Sequence, residues 1–74
     1  MDTTQFLENI KDLLDTETEL TVDTKFRELD EWDSLATLST IAMVDDEYGI
    51  VISANELRQL ETLGDIIRAI ESKL

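Results

Sequence analysis

The chain has 74 residues, carries 18 acidic against 6 basic residues for a net charge of −12, and contains neither Cys nor His. This length predicts one domain, residues 1–74, with a workable but small core, because a chain this short buries only about 60% of its unfolded surface. The missing Cys exclude disulfides and thiolate metal sites, the missing His removes the commonest general base at neutral pH, and the acidic excess argues against nucleic acid as a partner and for basic protein surfaces.

Phe6, Ile10, Leu13 and Leu14 fall at helical spacing and predict a first helix from about Thr3 to Asp15, capped by Asp2, Thr3 or Thr4. No charged-then-apolar leader is read at Met1, and the longest uncharged run, Leu35 to Val44, falls short of the roughly 20 residues that span a bilayer. A cytoplasmic protein without a membrane span is expected. Residues 16–33 form a long acidic connection in which Leu20, Val22, Phe26 and Leu29 predict a loop pinned across the bundle rather than free. A second helix is predicted over Ser34 to Tyr48, with Asp33 as N-cap and Gly49 as its stop. Ile50, Val51 and Ile52 read as a buried connection, since one strand-like run cannot make a sheet. Ser53 caps a short third helix over about Ala54 to Gln59, and Thr62-Leu63-Gly64-Asp65 fits a capping box that opens the fourth. Leu63, Ile66, Ile67, Ile70 and Leu74 then make the cleanest apolar stripe. The fold expected is all-α: a small four-helix bundle of three longer helices and one short, with a long loop between helices 1 and 2.

On a helical wheel of the second helix, Thr37, Leu38, Ile41, Val44 and Tyr48 form the core side. Leu35 and Met43, with Ser39 and Asp46 beside them, then face outward, either as a docking surface next to Ser34 or packed under the first loop. Ser34 has no base to make it a nucleophile, so an enzyme is not expected. A helix start does favour an anion there, through its free N–H groups and the macrodipole. The residues alone leave Ser34 as either a plain helix cap or a site of phospho-linked modification. Asp45-Asp46-Glu47 lacks the ligand spacing of a cation loop and reads as a solvated face, while Glu28, Asp30, Glu31 and Asp33 either attract divalent cations loosely or face water, so no metal site is expected.

Phe26-Arg27-Glu28-Leu29, Asp33-Ser34-Leu35, Tyr48-Gly49-Ile50-Val51-Ile52 and Thr62-Leu63-Gly64-Asp65, taken together, resemble an acyl carrier protein over nearly the whole chain. The resemblance implies a discrete carrier in which Ser34, flanked by the motif residues Asp33 and Leu35, receives 4′-phosphopantetheine from coenzyme A through a separate Mg-dependent phosphopantetheinyl transferase. The thiol of that arm then holds acyl groups as thioesters. The other partners implied are acyl-activating or acyl-transferring enzymes with basic or apolar docking patches, and the carrier itself is expected to be a monomer. The pattern departs from carriers of fatty-acid synthesis. Asp30 and Glu31 stand where a Leu-Gly pair is usual, and Trp32 follows. Ala36 and Ser39 replace acidic residues early in the second helix, and Val51 replaces another after the turn. A specialised carrier follows, docking through Trp32, Leu35, Ser39, Met43 and Asp46. The alternatives are an aminoacyl, peptidyl or aryl carrier, or an unmodified acidic helical adaptor.

Overall fold

A computed structural model describes residues 1–74 as four α-helices and no strands: α1 (Thr3–Leu14), α2 (Ser34–Tyr48), α3 (Ala54–Arg58) and α4 (Leu63–Glu71). Local signals set these boundaries. The Asp2 carboxylate accepts from the Gln5 N–H to open α1, and Asp15 ends it in the left-handed region at φ 51°. Asp33 accepts from the Ala36 N–H to open α2, and Gly49 closes it at φ 67°, a conformation that suits glycine. Reciprocal capping boxes open α3 (Ser53 with Glu56) and α4 (Thr62 with Asp65).

One cluster of 13 buried apolar residues holds the bundle together. α1 contributes Phe6, Ile10 and Leu14, and α4 contributes Leu63, Ile66, Ile67 and Ile70. Each large aliphatic or aromatic side chain so buried stabilises by about 1.5–3 kcal/mol. α2 buries much smaller groups, Ala36, Thr40 and Val44. That corrects the wheel. Leu38, assigned to the core side, is 62% exposed, while Met43, assigned outward, packs against the core with Ile41 and Tyr48. Apolar residues lie on every side of this helix, so its periodicity does not point in one direction. The choice falls to the neighbours: α2 packs on α1 and α3, with its smallest side chains fully buried and the larger Ile41, Met43 and Tyr48 half-buried at the margin of the core. Leu74 is likewise corrected: α4 ends at Glu71 and Leu74 stays exposed.

The loop of residues 16–33 is pinned, as its apolar residues predict. Leu20 and Phe26 are buried, and a single 3-10 turn forms at Phe26–Glu28. The buried Thr16 hydroxyl donates to Glu31 Oε2 at 2.9 Å and ties the two ends of the loop together. Farther along, Gly64 N–H donates to Val22 O at 2.8 Å and Leu63 N–H to Thr24 O at 3.0 Å, fastening the loop to the start of α4. Gly64 is required here: a Cβ would lie 2.9 Å from the Val22 carbonyl oxygen. In the connection after α2 only Ile52 is fully buried, with Ile50 half-buried and Val51 exposed. No helix is long and apolar enough to cross a membrane.

Candidate functional site

The loop and the capping of α2 together present Ser34. Asp33 does the capping: its Oδ1 accepts from Ala36 N–H at 2.8 Å, and its carbonyl accepts from Thr37 N–H at 3.0 Å. Ser34, the first residue of α2, is therefore exposed and free of that duty. The first turn of α2 contains no acidic residue, so the positive end of the helix is not neutralised from within it.

Beside Ser34 lies a cleft of about 240 Å³. Ser34 and Thr37 line it from α2, Phe26 and Arg27 from the 3-10 turn, and Leu57 and Arg58 from α3, with Trp32 and Asp33 completing it. The Trp32 ring packs on Phe26 with centroids 4.8 Å apart. The Arg27 guanidinium stands 5.1 Å from the Phe26 centroid and donates through Nη1 to the Leu57 carbonyl at 2.9 Å. That bond joins the loop to α3 across the cleft. On the other side of Asp33 is a second cleft of about 210 Å³, lined by Leu13, Leu14, Leu35, Ala36 and Ser39 with the carboxylates of Glu31 and Asp33. Asp33 is the ridge between a cleft that holds two guanidiniums and one that holds none.

Of the residues expected to dock partners, Leu35 and Asp46 are exposed. Trp32, Ser39 and Met43 are only half-buried residues, and Met43 packs against the core. The outward face of α2 is instead Leu35, Leu38, Ala42, Asp45 and Asp46, all exposed. The sequence reading placed Leu38 on the core side and did not bring Arg27 and Arg58 together. Arg27 and Arg58 lie far apart in the chain and meet only through the loop's path, although their rarity among 18 acidic residues was a usable signal. No group of three or more carboxylates is placed to hold a metal ion.

Two capping carboxylates are held below their ordinary range. Asp65 is lowered first by the Thr62 N–H, then by the Glu61 N–H, with Arg68 adding to both. Glu56 is lowered first by the Lys73 ammonium and then by the Ser53 N–H. Neither belongs to the clefts around Ser34.

Residues 4–70 match the sequence model of a family described as a phosphopantetheine attachment site. No curated protein and no solved structure matches the chain.

Proposed function

The chain belongs to the phosphopantetheine attachment-site family, and from that premise we propose that Ser34 is the residue that bears the arm. Domains of this family carry covalent 4′-phosphopantetheine, present substrates to enzymes and are not themselves catalytic. When bound, the arm supplies the thiol on which cargo is held as a thioester, a group this chain lacks because it has no Cys.

One observation carries the assignment to Ser34. It is an exposed hydroxyl at the first position of a 15-residue helix whose cap is made by its neighbour Asp33. The hydroxyl is thus available to form a phosphoester without cost to the helix. The site also fits the group electrostatically, since a phosphodiester there meets the N–H groups of a helix start whose one adjacent carboxylate, Asp33, is engaged with the Ala36 N–H. Residues 1–74 are read as one carrier domain, supported by the single core cluster to which all four helices contribute.

The cargo proposed is an acyl group, supported by the likeness of Asp33-Ser34-Leu35 and Tyr48-Gly49-Ile50 to acyl carriers. The enzymes that handle it dock on Leu35, Leu38 and Ala42, with Asp45 and Asp46 as the charged rim; this face replaces the one drawn from the wheel. A second reading, an aminoacyl or aryl carrier, is favoured by the same face, which is neutral and apolar through its first two turns. The two differ in which activating enzyme loads the holo-protein.

The assignment is tested by incubating the protein with coenzyme A and a broad-specificity phosphopantetheinyl transferase and weighing the intact product. One phosphopantetheine adduct is expected on the wild type and none on Ser34→Ala. A wild type that gains no mass, or a Ser34→Ala variant that still gains it, rules the assignment out.

A further inference from the structure

The few cations of this chain are not spread evenly. Lys25 pairs with Glu61 at 3.9 Å, Lys73 with Glu56 at 3.0 Å, and Arg68 with Asp65. Arg27, Arg58 and Lys11 pair with no carboxylate, in a chain that has 18 of them, and of these three the two arginines line the cleft that Ser34 lines. Their protein partners are neutral: the Leu57 carbonyl for Arg27 and the Asn55 side-chain oxygen for Arg58. Guanidinium is a planar fork of five donors suited to phosphate oxygens, and each of these two retains N–H groups that its protein contact does not use.

We infer that the cleft between the 3-10 turn and α3 is the seat of the phosphodiester at the root of the arm, with exposed Arg58 and Arg27, held by Leu57, as its two donors. The inference rests on Ser34 bearing the arm. Size supports it: at about 240 Å³ the cleft is smaller than common ligand pockets of about 300–1,000 Å³, which suits one anionic group rather than a cargo. Charge decides the side. Both clefts share the Asp33 carboxylate; the one across it adds the Glu31 carboxylate, which repels a phosphate, whereas this one adds two guanidiniums. Arg27 is already oriented by its bond to Leu57 and its place over Phe26, so little side-chain freedom is lost when an anion arrives. The arm therefore leaves Ser34 toward α3, along the Trp32 face.

Trp32 is the only tryptophan and lines the cleft, so its indole N–H reports the arm's root. The experiment loads wild type, Arg58→Gln and Arg58→Lys to completion, as judged by intact mass, and compares apo and holo proteins by ¹⁵N–¹H and ³¹P NMR. In the wild type, loading should shift the Trp32 indole and the Arg27 and Arg58 Nε–H signals and give a broadened phosphorus line from an ordered root. Arg58→Gln should lose the Trp32 shift and narrow the phosphorus line, and Arg58→Lys should restore part of both. Raising the ionic strength of wild-type holo-protein should reverse the Trp32 shift, which keeps the test open if a variant folds poorly. A mass with no adduct overturns the premise and the inference together. A fully loaded wild type whose Trp32 and arginine signals stay put, or whose shifts fall at Leu13, Leu35 and Ser39, overturns the inference alone.

Discussion

Single side chains at the start of α2 divide two duties, capping and presentation, of which the sequence placed the first on Asp33 and left Ser34 open between the two. Asp33 caps and Ser34 is presented, and the division is measurable. Asp33→Ala removes the 2.8 Å bond to the Ala36 N–H. It should cost about 0.5–2 kcal/mol, a fall in Tm of about 4–8 °C per kcal/mol for a domain of this size. Asp33→Asn keeps the acceptor and should keep most of the stability, and Ser34→Ala should leave Tm nearly unchanged by thermal denaturation. A drop for Ser34→Ala as large as for Asp33→Ala would mean that Ser34 shares the capping. Thr40 offers the opposite case. It is 1% exposed in the middle of α2, and its hydroxyl has no hydrogen-bond partner. An orphaned buried polar group costs about 1–3 kcal/mol, so Thr40→Val should raise Tm. A lower Tm in the same melt would show that the hydroxyl is in fact satisfied.

Among the elements, the boundaries were legible and the facing of one helix was not. Caps are local chemistry: Asp2, Asp33, Ser53 and Thr62 each accept from an N–H three residues ahead, so the sequence is enough to place them. α4 was legible for the same reason, since Leu63, Ile66, Ile67 and Ile70 leave one unambiguous stripe. The inner side of α2 depends on how it packs on α1 and α3, so Leu38 and Met43 exchanged places relative to the wheel. The pairing of Arg27 with Leu57 depends in turn on the loop's path, which non-local bonds to α4 set. Gly64 is the junction of that path. Gly64→Ala places a Cβ 2.9 Å from the Val22 carbonyl oxygen and 3.3 Å from its Cβ, and the first of these is backbone that cannot rotate away. A loss of about 1–3 kcal/mol is expected, with amide shifts concentrated at residues 22–24. Gly49→Ala meets open space and loses only the about 1–2 kcal/mol of its left-handed conformation, leaving that loop undisturbed. Equal loop perturbation by the two variants would break this account.

The whole molecule is governed by its net charge of −12 carried on a body only 29 × 24 × 20 Å across. Most of its carboxylates sit within two or three screening lengths of one another at 0.1 M salt, where the Debye length is about 10 Å. Their mutual repulsion opposes the folded state at neutral pH, so added salt should raise Tm at pH 7. One linkage then shapes the acid side of the pH profile. For Asp65 and Glu56 the folded pKa lies below the unfolded one. Their contribution is present above the unfolded value, near pH 4, and is lost as pH falls through the lowered folded value. The acid limb of the stability profile, below about pH 4, should therefore owe a share to these two groups, while the gain in Tm from salt at pH 7 belongs to the net charge. Replacing both caps, Asp65→Asn with Glu56→Gln, should flatten the acid limb and leave the salt dependence at pH 7 in place, because the two effects arise from different carboxylates. Thermal melts over a grid of pH and ionic strength check both parts. A Tm that is flat or falling with salt at pH 7 refutes the repulsion argument, and an unchanged acid limb in the double variant refutes the capping one.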